Sequence, residues 1–180
     1  MGKIVALVGM CGSGKSVVSE MFEEVGYKRI YFGGVTMKEL EKRGLEKCEA
    51  NERMIREELR ATYGQPAFAI LLLDDIQEAS KSGDVILDGL YSWAEYKVLK
   101  ERFGDNLTVV AIVTDSSLRY TRLSTRTIRP LTLEQAISRD HSEIENLAKG
   151  GPIAIADRFI LNNGDFDALK HEFKNLLTTL

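Results

Sequence analysis

Short apolar runs alternate along this chain with longer polar stretches whose hydrophobic positions recur at helical spacing. The runs fall at about 3–8, 28–32, 84–88, 107–113 and 157–161, each the length of a buried strand. The longer stretches predict helices at about 15–25, 36–43, 49–63, 66–82, 92–102, 115–124, 132–149 and 165–178. Such alternation predicts parallel strands joined by crossover helices, so the expected fold is α/β with three layers, a five-stranded parallel sheet flanked by helices. Thr132-Leu133-Glu134-Gln135 reads as a capping box, Gly150-Gly151-Pro152 as the stop of the same helix, and Pro66 as a first-turn residue.

The first apolar run leads directly into Gly9-Met10-Cys11-Gly12-Ser13-Gly14-Lys15-Ser16, a glycine separated by four residues from Gly-Lys-Ser, with a helix behind it. Strand, glycine-rich turn and helix together predict a phosphate-binding P-loop. Gly9, Gly12 and Gly14 let the backbone, with Ser13 between them, turn its N–H groups inward onto phosphates, and the helix N-terminus adds partial positive charge. Lys15 is expected to reach the β- and γ-phosphates of ATP, and the Ser16 hydroxyl to ligate Mg²⁺.

Composition narrows the setting. A net charge of −3 argues against non-specific nucleic-acid binding over the whole surface. Two cysteines, Cys11 and Cys48, have no metal-ligand or disulfide spacing. No window approaches the roughly eighteen apolar residues that would span a membrane, and a reducing cytoplasm is the expected location. No repeat or linker divides residues 1–180, so one domain is expected, with a core at about 1–32, 84–118 and 150–180. Two long connections interrupt it: 33–83, suited to an acceptor-binding insertion, and 119–149, suited to an arginine-bearing lid.

Asp88 ends the run Val85-Ile86-Leu87, where an open parallel sheet gathers its ligands. It would hold Mg²⁺ through water or orient the attacking hydroxyl; the bland alternative is an Asp-Gly turn. Arg119, Arg122, Arg126 and Arg129 lie within eleven positions that contain no acidic side chain, which implies a shared anion. Arg122 and Arg126 are the favoured clamp on the transferring group. Arg53, Arg56 and Arg60 share helical spacing and could bind a phosphorylated acceptor, although Glu49, Glu52, Glu57 and Glu58 offer ordinary surface pairing. His141 and His171 read as surface residues.

On these residues the chain resembles the nucleotide kinase branch of P-loop proteins, in particular dephospho-CoA kinases and an archaeal-type group of adenylate-kinase-related proteins. The resemblance rests on Gly9 to Ser16, Asp88-Gly89-Leu90-Tyr91-Ser92, Arg119 through Pro130, Arg139-Asp140, and Ala156-Asp157 followed by Ile160 and Asn162. It implies that Asn162 lies near the adenine of ATP and that Arg126 is a lid arginine. Dephospho-CoA kinases carry an acidic residue after the second strand, whereas this chain reads Tyr31-Phe32-Gly33-Gly34. The expected protein is an ATP- and Mg²⁺-dependent phosphotransferase, strand order 2-3-1-4-5, acting on a small nucleotide-like acceptor, either dephospho-CoA or a nucleoside monophosphate. Its rivals are an ATPase switch with a macromolecular partner and a nucleotide sensor without acceptor chemistry.

Overall fold

A strand buried on both faces must be apolar throughout, and β1 (Ile4–Val8) is: all five of its residues are fully buried. The computed structural model describes residues 1–180 and places β1 at the centre of a five-stranded sheet of order β2-β3-β1-β4-β5. The other strands are β2 (Lys28–Tyr31), β3 (Val85–Asp88), β4 (Leu107–Val113) and β5 (Arg158–Leu161), and every pairing is parallel. The expected sheet and strand order are both present. Polarity tracks position, since β2 and β5 at the edges carry exposed residues while β3 is wholly buried.

Helices cover both faces. α1 (Lys15–Glu24) and α9 (Phe166–Leu177) pack Val18, Met21, Phe22, Leu169, Phe173 and Leu176 on Val5, Leu7, Ile86, Val110, Ile112 and Ile160. The opposite face carries α4 (Ala67–Ser82) and α5 (Trp93–Phe103), whose Phe68, Leu72, Ile76, Leu99 and Phe103 meet Ile4, Ala6, Val8, Leu87 and Val109. The first long connection folds as α2 (Gly34–Lys42), α3 (Glu49–Tyr63) and then α4; the second begins with α6 (Ser116–Thr125). No helix is long and apolar enough to cross a membrane.

One expectation needs correction. The single helix expected over 132–149 is two: α7 (Leu133–Glu145), opened by the Thr132/Gln135 capping box, and the short α8 (Gly150–Ala154). Ala148 adopts a left-handed φ of 48° between them and turns the chain. Gly150, Gly151 and Pro152 therefore open α8 instead of closing α7; proline is tolerated there because first-turn N–H groups have no intrahelical partner.

Phe22 is fully buried and meets Tyr27 and Phe173 edge-on, at centroid distances of 4.8 and 4.9 Å. Phe22→Ala should lower unfolding stability by about 3–5 kcal/mol, measured by urea titration.

Candidate active site

The P-loop joins β1 to α1, and its shape follows from where its carbonyls go. Lys15 Nζ folds back and donates to Gly9 O at 2.7 Å and Met10 O at 3.0 Å. Arg119 Nη1 donates to Cys11 O at 3.0 Å. Ser13 O accepts from Asn162 Nδ2 at 2.8 Å and from Thr114 Oγ1 at 3.1 Å. With these oxygens tied to the protein and the first-turn N–H groups of α1 lacking intrahelical partners, the loop presents its donors to an anion. Close packing demands glycine at three points, the first being Gly9, where a Cβ would collide with Ile112 O. A Cβ on Gly12 would come within 2.9 Å of Arg119 O, and Gly14, at φ 96°, lies against the Asn162 side-chain amide.

Burial disfavours the charge on Lys15, and Lys149 adds repulsion, so its pKa is lowered to about 7. Lys149, 1% exposed, donates to Glu143 Oε2 at 2.9 Å and lies 5.2 Å from the Tyr91 ring. Arg139 reaches the other Glu143 oxygen at 3.3 Å from the solvent side. Burial works against the Glu143 carboxylate, but Lys149 and Arg139 outweigh it and hold its pKa below the usual range. One carboxylate thus faces Lys149, Arg139 and the nearby Lys15.

Asp88 is 4% exposed at the carboxyl end of β3, opposite Leu7 of β1. Its Oδ2 accepts from Arg29 Nε at 3.1 Å and from Arg29 Nη2. Arg29 pairs with Ile86 across β2 and β3 and so reaches Asp88 diagonally on the same face. Ser16 is exposed at the start of α1, while Ser13 Oγ is buried without a partner.

The four clustered arginines, of which Arg122 and Arg126 are the expected clamp, separate by role. Arg119 is buried and doubly bonded to Asp140 of α7, at 2.9 and 2.6 Å, with the Tyr120 hydroxyl donating to the same carboxylate at 3.0 Å. Arg122 Nη2 donates to Asn162 O at 3.0 Å, and its Nη1 is buried with no partner. Arg126 Nε donates to Arg129 O at 2.6 Å. Arg129, at φ 53°, pairs with Glu52 of α3, which is buried and also accepts from Arg56 at 3.4 Å.

The row on α3 is not one site. Arg53 is 72% exposed and pairs with Glu57 at 2.7 Å, which removes it from any cluster with its two neighbours. Arg56 is shared between Glu49 and Glu52. Arg60 stacks over Phe68 at 5.3 Å. Asn162 is 6% exposed, and its amide is spent on the loop backbone, so here it buttresses the P-loop. Sequence reading missed Arg29, Lys149, Glu143 and the buried Glu52. Arg29 alone left a usable signal, because aligning β2 with β3 from their starts sets it diagonal to Asp88.

A family model described as an AAA domain matches residues 5–158. A UPF0200 protein of Thermococcus kodakarensis is 34% identical over 178 residues, covering 97% of this chain and 96% of its own. A dephospho-CoA kinase from Campylobacter jejuni superposes with a TM-score of 0.61 at 19% identity, over 99% of this chain and 96% of that one. A shikimate kinase from Acinetobacter baumannii, solved with shikimate, gives 0.62 at 17%, over 99% and 93%. The five-stranded fold is that of P-loop kinases.

Asn162→Ala deletes a hydrogen bond to the loop and leaves its backbone acceptor short of a partner, a change of about 1 kcal/mol. ATP and GTP affinity should fall together, by roughly fivefold each, in a calorimetric titration. A loss confined to ATP would return Asn162 to the adenine.

Proposed function

We propose that this chain, which belongs to the AAA-domain P-loop proteins and to the UPF0200 family, transfers the γ-phosphoryl group of ATP to a hydroxyl of a small nucleotide-like acceptor. The observation that carries this reading is the buried charge beside the loop. Lys149 is bonded to the one carboxylate there, Glu143, with Arg139 approaching it from solvent, and part-buried Lys15 nearby has only backbone oxygens for partners. Cations withdrawn from water are costly unless matched, and a polyphosphate over the P-loop supplies the missing negative charge.

In this reading the loop amides and Lys15 bind the β- and γ-phosphates. Lys149 and Arg139 lie on the lid side, where negative charge grows as the bond to the bridging oxygen breaks. The unpartnered Nη1 of Arg122 has the same use. Arg29 fixes the position of the Asp88 side chain beside the loop, so that Asp88 accepts a hydrogen bond from the acceptor hydroxyl and orients it.

The donor set fits a magnesium ion that arrives with the nucleotide. Ser16 and Asp88 offer two oxygens, no group of three or more His, Cys, Asp or Glu side chains could hold a metal alone, and Mg²⁺ keeps several waters. When bound, the ion would neutralise charge between the β- and γ-phosphates. The direct test is incubation with ATP, Mg²⁺, dephospho-CoA and the nucleoside monophosphates, with identification of the phosphorylated product. ATP binding without any new product would reject acceptor transfer.

Two outcomes follow from the lysines. Lys149→Met should lower kcat at least tenfold with a smaller change in ATP affinity, measured by single-turnover kinetics, because it removes charge stabilisation of the transition state. Lys15 titrates at about 7 in the free protein, and phosphate oxygens favour its charged form, so binding raises its pKa. Above pH 7 nucleotide binding should therefore take up a proton and weaken as pH rises. Titrations in buffers of different ionisation enthalpy read that proton directly, and Lys15→Met should abolish it.

A further inference from the structure

Of the buried polar atoms without a partner outside the phosphate site, two belong to ionisable side chains, Nε of Arg60, from α3 of the insertion, and Oε1 of Glu95, from the first turn of α5; the others are the hydroxyls of Ser19 and Thr36. Each group feels the other's charge, yet neither atom is hydrogen-bonded. Glu95 is fully buried. The capping of α5 does not account for its second oxygen. Oε2 alone accepts from Tyr91 N at 2.8 Å and Ser92 N at 3.0 Å, which completes the capping box. Arg60 lies over the Phe68 ring, with Cζ 5.3 Å from its centroid, and this contact leaves the Nε–H without an acceptor.

Buried polar groups are almost always satisfied, and leaving one orphaned is expensive. An orphan donor and an orphan acceptor of opposite charge, on the insertion and on the segment that follows Asp88, form a pattern that a ligand can complete. We infer that Arg60 and Glu95 recognise the acceptor through an uncharged edge that offers a hydrogen-bond acceptor to Arg60 beside a donor to Glu95. An amino-substituted nucleobase presents that edge, with a ring nitrogen next to an exocyclic amine. The inference rests on the phosphotransferase reading above and names the class of its acceptor.

A phosphate or carboxylate does not fit the pair. Either would suit Arg60 alone, but it brings no donor to Oε1 and repels the carboxylate when that is ionised. Desolvation raises the Glu95 pKa to about 7, against the opposing pull of the Tyr91 and Ser92 N–H groups and of Arg60. A ligand amine donating to Oε1 would therefore stabilise the ionised form. The other arginines of α3 leave this role to Arg60, since Arg53 is in solvent and Arg56 is neutralised by Glu49 and Glu52.

The test is calorimetric binding of AMP and IMP to the full chain saturated with a non-hydrolysable ATP analogue, which occupies the P-loop. The two ligands carry donor and acceptor in reversed order, since IMP has a carbonyl where AMP has the amine and an N–H where AMP has the ring nitrogen. A base seated in one orientation would set IMP's acceptor against Glu95 and its donor against Arg60. AMP should bind more tightly than IMP. Glu95→Gln keeps one oxygen for the capping box and puts an amide donor where Oε1 stood, so the AMP-over-IMP ratio should fall roughly tenfold or more. Melting temperature and affinity for the ATP analogue should hold. Arg60→Met should weaken AMP with the same two readouts unmoved.

An unchanged ratio in Glu95→Gln overturns the inference. So does absence of AMP binding to a protein that binds the ATP analogue, in which case the phosphotransferase reading stands without it. Competition by inorganic phosphate that disappears in Arg60→Met would make Arg60 a phosphate clamp and overturn it too. Failure to bind the ATP analogue itself brings down both readings.

Discussion

A loop that binds anions through its amides works only if its carbonyl oxygens are held elsewhere, and this constraint organises the molecule. The oxygens of Gly9, Met10, Cys11 and Ser13 are each claimed by a side chain. Those side chains come from α1, α6, the end of β4 and the end of β5. The loop is therefore set by the closure of the sheet: β5 must pair with β4 before Asn162 can reach Ser13. Stability of the core and geometry of the site are one quantity here, which is why small changes at Asn162 or Arg119 act on nucleotide affinity without touching nucleotide.

Charge is arranged by the same logic. Each buried cation near the loop has a carboxylate supplied by another element: Arg119 has Asp140, Lys149 has Glu143, and Asp88 is itself matched by Arg29. Pairs fully removed from water contribute little net stability, but they fix positions, because either partner alone would be strongly destabilising. Lys15 lacks such a partner of its own. It rests on two backbone oxygens, which are weaker competitors than a phosphate, and it is thus the cation most easily redirected.

What the sequence disclosed and what it concealed divide along the range of the interaction. The P-loop, the buried strands and the Thr132 capping box are contiguous patterns, fixed by local backbone needs, and all were legible. The arginine clusters were legible only as charge. Whether Arg119 faces phosphate or Asp140 depends on how α6 packs on α7, and no spacing within 119–129 encodes that. Lys149 and Glu143 are six residues apart, which on a continuous helix would set them far from one another. They meet because the chain turns at Ala148, the same feature that splits the expected helix. Asn162 shows the limit of resemblance, which implied a place near the adenine of ATP: in the structure its amide donates to the protein's own backbone at Ser13.

Glu52 extends the argument from the loop to the moving parts. It is buried, and it takes both Arg56 from its own helix and Arg129 from the lid. Arg129 is half-exposed, so solvent screens the bridge and its stabilisation is modest, on the scale of about 1 kcal/mol or less. The left-handed backbone at Arg129 costs about as much. A contact so nearly balanced does not lock the segment around Arg129 onto α3. Arg56 lies on α3 beside that carboxylate and Arg60 one turn further on, so an acceptor seated there, as proposed, would perturb the same helix that holds Arg129. On the proposed phosphotransferase reading, closure over the phosphates and occupancy of the acceptor site would be coupled through a single carboxylate, the arrangement a transferase needs to keep water from taking the phosphoryl group first.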